Sequence, residues 1–561
     1  MALETASSNN GHSFDRIMDN KSDMREEEGG FVGEQRTLPG GKDDTVYIQG
    51  PQFWFISMAI AIMMFIVNLE IPVVVTALVA ITDDLGGFES VAWVVASYLL
   101  GYVAVIVICA KFSDIFGRKP VFLLSIAIFI IFSAACSASQ TIIQLIVFRA
   151  LQGMGGGGCF SLCTILIMEL VRPEKYTKYV SNLSVVNALA LLSGPIVGGA
   201  IAANTTWRWI FIINVPIAAP ALVATYFALP RAFPYHGQPH YRAKGIKELM
   251  GKSTLHRVDI PGTVLILFAT VGWTAAFEEA DSRFPWRSAY VITLLVVSGI
   301  MWIALFGWER YVTLSDKVRE PVLPWRFFTN RQMVGIILNF MLLGGPTIIG
   351  MFIIPQRFQL VYGTSGLDAG VKLIPFTITI PVGSIFASII TGKLKVPPIY
   401  VIMAGSCLQV LGFALLGTLP STLTIPGRIY GFEMIVGWGC GMNFALLFVM
   451  IPFVNEKRDQ AVGTGAGAQF RMIGSAMILA ISTSVFNSYT RPQIAALLGV
   501  SDSSSVLISG DSLEYLPREL QEQVRYTLAE GYNRQILVLC VSAALQIPAS
   551  LLMWKKKQVR I

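Results

Sequence analysis

VFLLSIAIFIIFSAACSA, residues Val121 to Ala138, contains no charged side chain, and its reading decides the fold. An apolar run of that length is a helix that crosses a bilayer, where its backbone groups bond to one another and its side chains suit hydrocarbon. Immediately upstream, KFSDIFGRKP (Lys111 to Pro120) concentrates the charge that the run excludes. The chain repeats this segregation throughout. Of its 561 residues 54% are hydrophobic and only 14% charged, against roughly 25% charged in a typical soluble domain.

Apolar windows of about twenty residues predict fourteen spans. Their approximate limits are 54–81, 91–110, 120–138, 141–168, 179–203, 208–229, 259–277, 289–308, 332–355, 372–391, 398–418, 428–452, 462–486 and 535–554. The expected fold class is therefore an all-α membrane protein. An even number of spans places both termini on one side. Most Lys and Arg lie in the tails and in the even-to-odd connections, so the positive-inside rule makes both termini cytoplasmic. The net charge of +7 is thus topological and calls for no nucleic-acid partner.

Residues 1–50 are polar, lack a cleavable signal peptide and read as a disordered cytoplasmic tail. The expected division is a six-helix bundle at 51–230, a cytoplasmic loop at 231–257, and two extra spans with a loop at 258–331. A second six-helix bundle follows at 332–554, with an outer loop at 487–534 and a cytoplasmic tail at 555–561. Within the outer loop, PRELQEQVRYTLAEG (517–531) reads as a helix lying near the surface. The sequon Asn204-Thr205-Thr206 falls outside, close to a span, and makes Asn204 a glycosylation candidate. All seven Cys lie in apolar stretches and all four His lie outside the spans. No disulfide framework, metal site or cofactor is expected, and a membrane enzyme built on intramembrane His is disfavoured.

An ionised side chain near the bilayer centre costs roughly 2.5–3.5 kcal/mol on insertion scales, so each one asks for a partner or a task. Glu70 and Arg149 lie roughly 16 and 12 Å below the outer ends of spans 1 and 4 at 1.5 Å per residue, so they can meet inside one bundle. Two readings are open: proton coupling, in which burial and the guanidinium pull the carboxyl in opposite directions, and a permanent lock between the two spans. Glu433, Arg471 and the amides Asn68, Asn187, Asn339, Asn443 and Gln469 are candidates for a substrate cavity, with helix-to-helix hydrogen bonds the alternative for each amide. Arg357, Lys372, Glu278 and Glu279 are at outer span ends and are expected to snorkel or to be solvated.

FRALQGMGGGGCF (Phe148 to Phe160) carries a G-x-G-x-x-G at Gly153, Gly155 and Gly158. A nucleotide loop needs a strand before it, and here a membrane helix runs through the motif. The useful spacing is Gly153, Gly157 and Ser161, a smooth face on which another helix can pack closely. RALQGMGGG, from Arg149, is matched by EMIVGWGCG, from Glu433 in span 12, each with a charge four residues before glycines. That maps spans 1–6 onto 9–14, the parallel repeat from which many carriers build a midplane site.

At this point the sequence resembles the major facilitator superfamily, and within it the fourteen-span drug and toxin exporters of fungi, over roughly residues 51–490. AKFSDIFGRKP is similar to the superfamily's signature loop at Asp114, Gly117, Arg118 and Lys119, with Ala110 and Ile115 departing from it. The resemblance implies a gate on the cytoplasmic face. FRALQGMGGG resembles the span 4 motif, whose arginine, here Arg149, is implicated in proton transfer. LLSGPIVGGAI is similar to the antiporter motif at Gly194, Pro195, Gly198 and Gly199, with Ala190 in place of a glycine, and WRWIFIINVP looks like the entry to span 6. Span 1 departs: LEIPVVVTAL has Glu70 and Pro72 where an aspartate followed by threonine is common. The fold implied is two six-helix bundles plus two extra central helices.

The leading functional reading is a monomeric secondary exporter in the plasma membrane that exchanges an amphipathic organic compound for protons by alternating access. A vacuolar location remains an alternative. The chain contains no G-x-x-x-x-G-K-[ST], so the energy is expected from a gradient. Proton-linked uptake of a small solute such as a metal chelate is the alternative within transport. A transporter-like ligand sensor is the alternative outside it, opposed by the shortness of the segment after the last span.

Overall fold

The computed structural model describes residues 47–86, 90–236, 248, 251–281, 283–315, 318–499, 516–556 and 558. The tail read at 1–50 lies outside them up to residue 46, as do 237–247 of the cytoplasmic loop, 500–515 of the outer loop and most of the final tail. Val46–Ile561 forms one compact unit.

Among the described residues, fourteen helices are long and apolar enough to cross a membrane: α1 Pro51–Val75, α2 Trp93–Phe116, α3 Arg118–Ser137, α4 Ile142–Leu170, α5 Pro173–Ile201, α6 Arg208–Ala228, α7 Ile260–Glu279, α8 Ala289–Ser315, α9 Arg331–Leu360, α10 Gly366–Gly392, α11 Pro398–Gly417, α12 Arg428–Val454, α13 Lys457–Leu498 and α14 Arg518–Leu551. Their starts follow local chemistry. Thr141 caps α4 by accepting from the Gln144 N–H, Asp259 caps α7 by accepting from Gly262, and Pro opens α1 and α11 where a missing N–H costs nothing.

Helix pairing reveals the architecture. In the first half α4 packs on α1, α2 and α3, α1 also on α5 and α6, and α3 on α6. In the second, α12 packs on α9, α10 and α11, α9 also on α13 and α14, and α11 on α14. Each first-half pair recurs eight helices later. The seams between the bundles, α2 with α13 and α5 with α10, exchange under the same repeat. Helices α7 and α8 pair with each other, and α7 also touches α2 and α13.

The glycines explain the closest pairs. A Cβ on Gly153 would stand 2.2 Å from the Tyr98 carbonyl oxygen and one on Gly157 2.2 Å from that of Tyr102, while Ser161 donates to the Ile106 carbonyl at 2.9 Å. Thus α2 lies backbone to backbone on the face expected from the spacing. The counterparts Gly437 and Gly441 in α12 approach the Phe376 and Ile380 carbonyl oxygens of α10 to 2.3 and 1.9 Å on the same measure.

Three expectations change. The first span breaks after Val75, where the Thr76 hydroxyl donates to the Val73 carbonyl and competes with the helical ladder, and a separate helix covers Leu78–Leu85. The outer loop expected at 487–534 is mostly helix: α13 runs on to Leu498 and ends at Gly499 with φ 67°, and PRELQEQVRYTLAEG is the start of α14. Its charges lower the hydropathy, but Val524, Leu528 and Tyr532 recur on one face and pack with Ile353, Phe358 and Val361. Arg357, expected to snorkel, is 2% exposed and donates to the Leu416 carbonyl at 3.4 Å. Glu279 is buried as well, whereas Lys372 pairs with exposed Asp368.

Candidate functional site

The centre of the first bundle is a sealed ion pair. Glu70 of α1 and Arg149 of α4 are 2% and 0% exposed, and the Arg149 Nη1 lies 2.5 Å from the Glu70 Oε1. Gln152, one turn after Arg149, donates to the Glu70 Oε1 at 3.0 Å and accepts from the Arg149 Nη1 at 2.8 Å. It also donates to Ser133 of α3 at 2.8 Å. Asn214 of α6 donates to the Glu70 Oε2 at 2.6 Å. The Arg149 Nε donates to the Val94 carbonyl of α2 at 3.0 Å, and its guanidinium lies over the Tyr98 and Phe211 rings at 4.3 and 5.5 Å. Five helices thus enter the network around the pair, with α4 and α6 bonding the carboxylate of α1 directly and α2 and α3 holding Arg149 and Gln152. The Arg149 Nη2 alone has no partner among the described residues.

Gln152, Ser133 and Asn214 were not singled out in the sequence. The helical spacing of Gln152 from Arg149 in RALQG was the available signal for the first. Asn214 lies beside Pro216 in WRWIFIINVP, where polarity in an apolar span was legible but its target was not.

The glycines and proline of α5 serve the packing of α1. A Cβ on Gly194 would meet the Pro72 ring at 2.5 Å and one on Gly198 the Thr76 Oγ1 at 2.1 Å, whereas Gly199 faces open space. Pro72, the departure noted in span 1, is therefore accommodated by Gly194 two residues from Glu70. Pro195 lies inside α5.

On the face that carries the α2–α3 connection, Gly117 turns the chain with φ 96° between α2 and α3, a conformation that side chains resist. Asp114 pairs with Arg118 at 2.6 Å, and Arg118 also pairs with Glu169 of α4 at 2.6 Å. Lys119 donates to the Tyr226 and Leu229 carbonyls, both at 2.6 Å, satisfying the carboxyl end of α6. All three side chains thus act within the first bundle. The link outward comes from Lys111, which pairs at 2.7 Å with Glu320 in the α8–α9 connection, where Arg257 joins at 2.5 Å. Burial alone would push the Glu320 carboxyl up, but Lys111 and Arg257 together hold it below the ordinary glutamate range.

Hydrogen bonds between the bundles occupy the same half. Ser181 bonds with Ser388 at 2.6 Å and donates to the Ser384 carbonyl at 2.9 Å across α5 and α10. Gln469 of α13 accepts from the Val107 N–H of α2 at 3.1 Å and donates to Thr270 of α7 at 2.9 Å.

The remaining cavity candidates divide. Asn443 donates to Ser406 and to Gln546, both at 2.8 Å, and Asn339 accepts from Ser550 at 3.0 Å, so these amides, like Gln469, bridge helices. Asn68 donates to the Met64 carbonyl of its own helix. Glu433 is fully buried with neither oxygen partnered, and it forms no ion pair with Arg471. Arg471 and Asn187 each keep a buried atom without a partner. Asn204 is exposed, its amide on the Ala200 carbonyl. No group of three metal-ligating side chains occurs among the described residues.

Residues 54–479 match the family model described as Major Facilitator Superfamily. The chain is 37% identical over 494 residues to the MFS-type transporter FPY5 of Fusarium mangiferae, covering 88% of this chain and 82% of that one. It is 31% identical to the efflux pump FUS6 of Gibberella fujikuroi, covering 83% and 81%. The crystal structure of the human organic anion transporter MFSD10 superposes with a TM-score of 0.56 at 14% identity, over 90% of this chain and 100% of that one, a likeness of fold alone.

Proposed function

Because the chain belongs to the Major Facilitator Superfamily and is a multi-pass membrane transporter, we propose that it exports amphipathic organic compounds in exchange for protons, with Glu70 as the proton-carrying group. The observation that carries this reading is the Glu70–Arg149 pair, sealed from solvent and held from five helices. Buried pairs are poor stabilisers, since desolvation cancels much of their attraction, so a lock alone gives little reason for so many partners. A carboxylate that motion of α1 against α4 would part from its guanidinium is a group that can take up and release a proton.

The efflux named for the Gibberella relative supports the outward direction. Loop charge places both termini in the cytoplasm, and the bundle-to-bundle bonds then close that face, with the Lys111–Glu320 tie across it. We assign the protein to the plasma membrane as a monomer, its bundles bounded as the sequence suggests. Aromatic spans with few charges favour a large, weakly polar solute over a sugar or ion.

The test uses purified protein in sealed vesicles with an imposed pH gradient and a panel of fluorescent amphipathic compounds. Wild-type flux should follow the gradient, and Glu70→Gln should remove that dependence. Flux indifferent to the gradient would defeat antiport, and ligand binding without flux under any gradient would favour a sensor.

A further inference from the structure

Resting on the transporter reading, the geometry points to Arg471 as the anchor of a substrate site that selects amphipathic organic acids. Arg471 projects from α13 where the two bundles meet. Its guanidinium lies 5.9 Å from the Phe160 ring of α4 in the first bundle and 5.4 Å from the Phe444 ring of α12 in the second. The side chain is 6% exposed. Among the described residues it has no ion pair and no hydrogen bond, and its Nε is buried without a partner.

A guanidinium stays charged, and taking it out of water without an anion is among the costlier arrangements a fold can hold. Two ring faces recover only part of that cost. Glu433 does not serve as counter-charge, since on α12 it is eleven residues before Phe444, roughly 16 Å along the axis. Arg149 and Arg357, also buried with an unpartnered nitrogen, differ: Arg149 is paired with Glu70, and Arg357 lies inside the second bundle, donating to the Leu416 carbonyl of α11.

A second observation comes from the equivalent position of the first bundle. The sequence separation that carries Gly153 to Gly437 and Gly157 to Gly441 also carries Asn187 of α5 to Arg471 of α13. The two residues hold equivalent positions in the two bundles, about eleven residues above the starts of their helices at Tyr176 and Gln460, roughly 16 Å at helical rise. Asn187 is half-buried, and its Oδ1 has no partner. Both midspan positions therefore present unspent polarity, while Asn339 and Gln469 are bonded to neighbours and Asn443 spends its donors on Ser406 and Gln546, its Oδ1 unpartnered among the described residues. The backbone beside Arg471 is closely fitted. A Cβ on Gly344 would stand 2.1 Å from the Arg471 carbonyl oxygen, next to the π-helical turn Gly345–Ile349 of α9. Such turns recur at functional sites.

The recognising chemistry is a fork of guanidinium donors on a carboxylate, with Phe160, Phe444 and Tyr102 against an aromatic or apolar body, Tyr102 lying 5.8 Å from Phe160. A neutral analogue of the same shape leaves the guanidinium unpaired.

The test is equilibrium binding of dansylglycine and of its neutral isostere dansylglycinamide to the full-length protein in detergent, read by energy transfer from tryptophan. Wild type should prefer the acid by about ten- to a hundredfold, the worth of one charge-assisted bond. Arg471→Gln should abolish the preference while leaving amide binding unchanged, and Arg471→Lys should keep part of it. Equal binding of the two probes, binding of neither, or a preference that survives Arg471→Gln overturns the assignment. If Arg471→Gln elutes as aggregate, the wild-type preference and its fall in Arg471→Lys decide. Binding needs no pH gradient, so loss of gradient-driven export and loss of acid selectivity are separate results.

Discussion

Replacing Gly157 by alanine tests how closely α2 and α4 are fitted. The new Cβ would stand 2.2 Å from the Tyr102 carbonyl oxygen, 2.9 Å from its carbon and 3.0 Å from its Cα, all backbone atoms that no rotamer change can clear. Carbon-to-oxygen contacts settle near 3.3–3.6 Å, so α2 must retreat by about 1 Å. A retreat of that size would carry the Ser161 bond to the Ile106 carbonyl, now 2.9 Å, beyond hydrogen-bond range, and would strain the bond from Arg149 to the Val94 carbonyl, now 3.0 Å. Overpacking costs about 1–3 kcal/mol and each weakened bond about 0.5–1.5 kcal/mol. Alanine recovers about 1 kcal/mol of helix propensity over glycine. The contact terms win, and a net loss of about 2 kcal/mol is expected. Gly299→Ala in α8 is the control, because nothing lies within 4 Å of its Cβ and only the propensity gain of about 1 kcal/mol should remain. Unfolding in mixed micelles, followed by helical circular dichroism, compares the two. If both variants shift stability in the same direction, α2 is free to move and the close-fit reasoning is wrong.

Arg149→Met should cost about 3–5 kcal/mol by stranding a buried carboxylate, and the double variant Glu70→Gln/Arg149→Met should be more stable than Arg149→Met alone, with a double variant at or beyond the sum of the single losses contradicting this. Gly198→Ala should destabilise by about 1–3 kcal/mol through its clash with Thr76 and Val73, whereas Gly199→Ala should be neutral or slightly stabilising, and equal melting shifts would refute the distinction. Glu320 titrates below its ordinary value of 4.5 in the folded protein, so its contribution is present above that value and is lost as pH falls through the depressed one. The stability gap between wild type and Lys111→Met, measured by melting from pH 6 to pH 3.5, should therefore shrink on acidification, and a gap that widens counts against the Lys111–Glu320 tie.

Much of the fold was legible because hydropathy and glycine spacing are local signals. Val121 to Ala138 declared a span by composition, and the spacing of Gly153, Gly157 and Ser161 declared a packing face by period. Residues 517–531 were legible as a helix but not as the start of α14, since their charges lower the hydropathy of an apolar face carried by Val524, Leu528 and Tyr532. Glu70 and Arg149 were found as charges in apolar spans, and their depths brought them to one level. Gln152 and Asn214 were missed although other span amides were noted, because a buried amide is penalised less than a charge and gives no direction until helices α1, α4 and α6 are placed. Arg357 was misread for a related reason: proximity to a span end suggests water, but α11 and α14 cover it.

The contacts of α7 with both α2 and α13 have a mechanical consequence. By the internal repeat the two seams between the bundles are equivalent, yet one is also contacted by α7 and the other joins α5 directly to α10 through the Ser181 bonds. Under the proposed alternating access, a tilt of the bundles would require α7 to travel with one of them and shear against the other, and Gln469, bonded at once to α2 and α7, would sit at the point of shear. Symmetric halves are thus joined along unlike edges, one braced by a third helix pair and the other by serine hydrogen bonds.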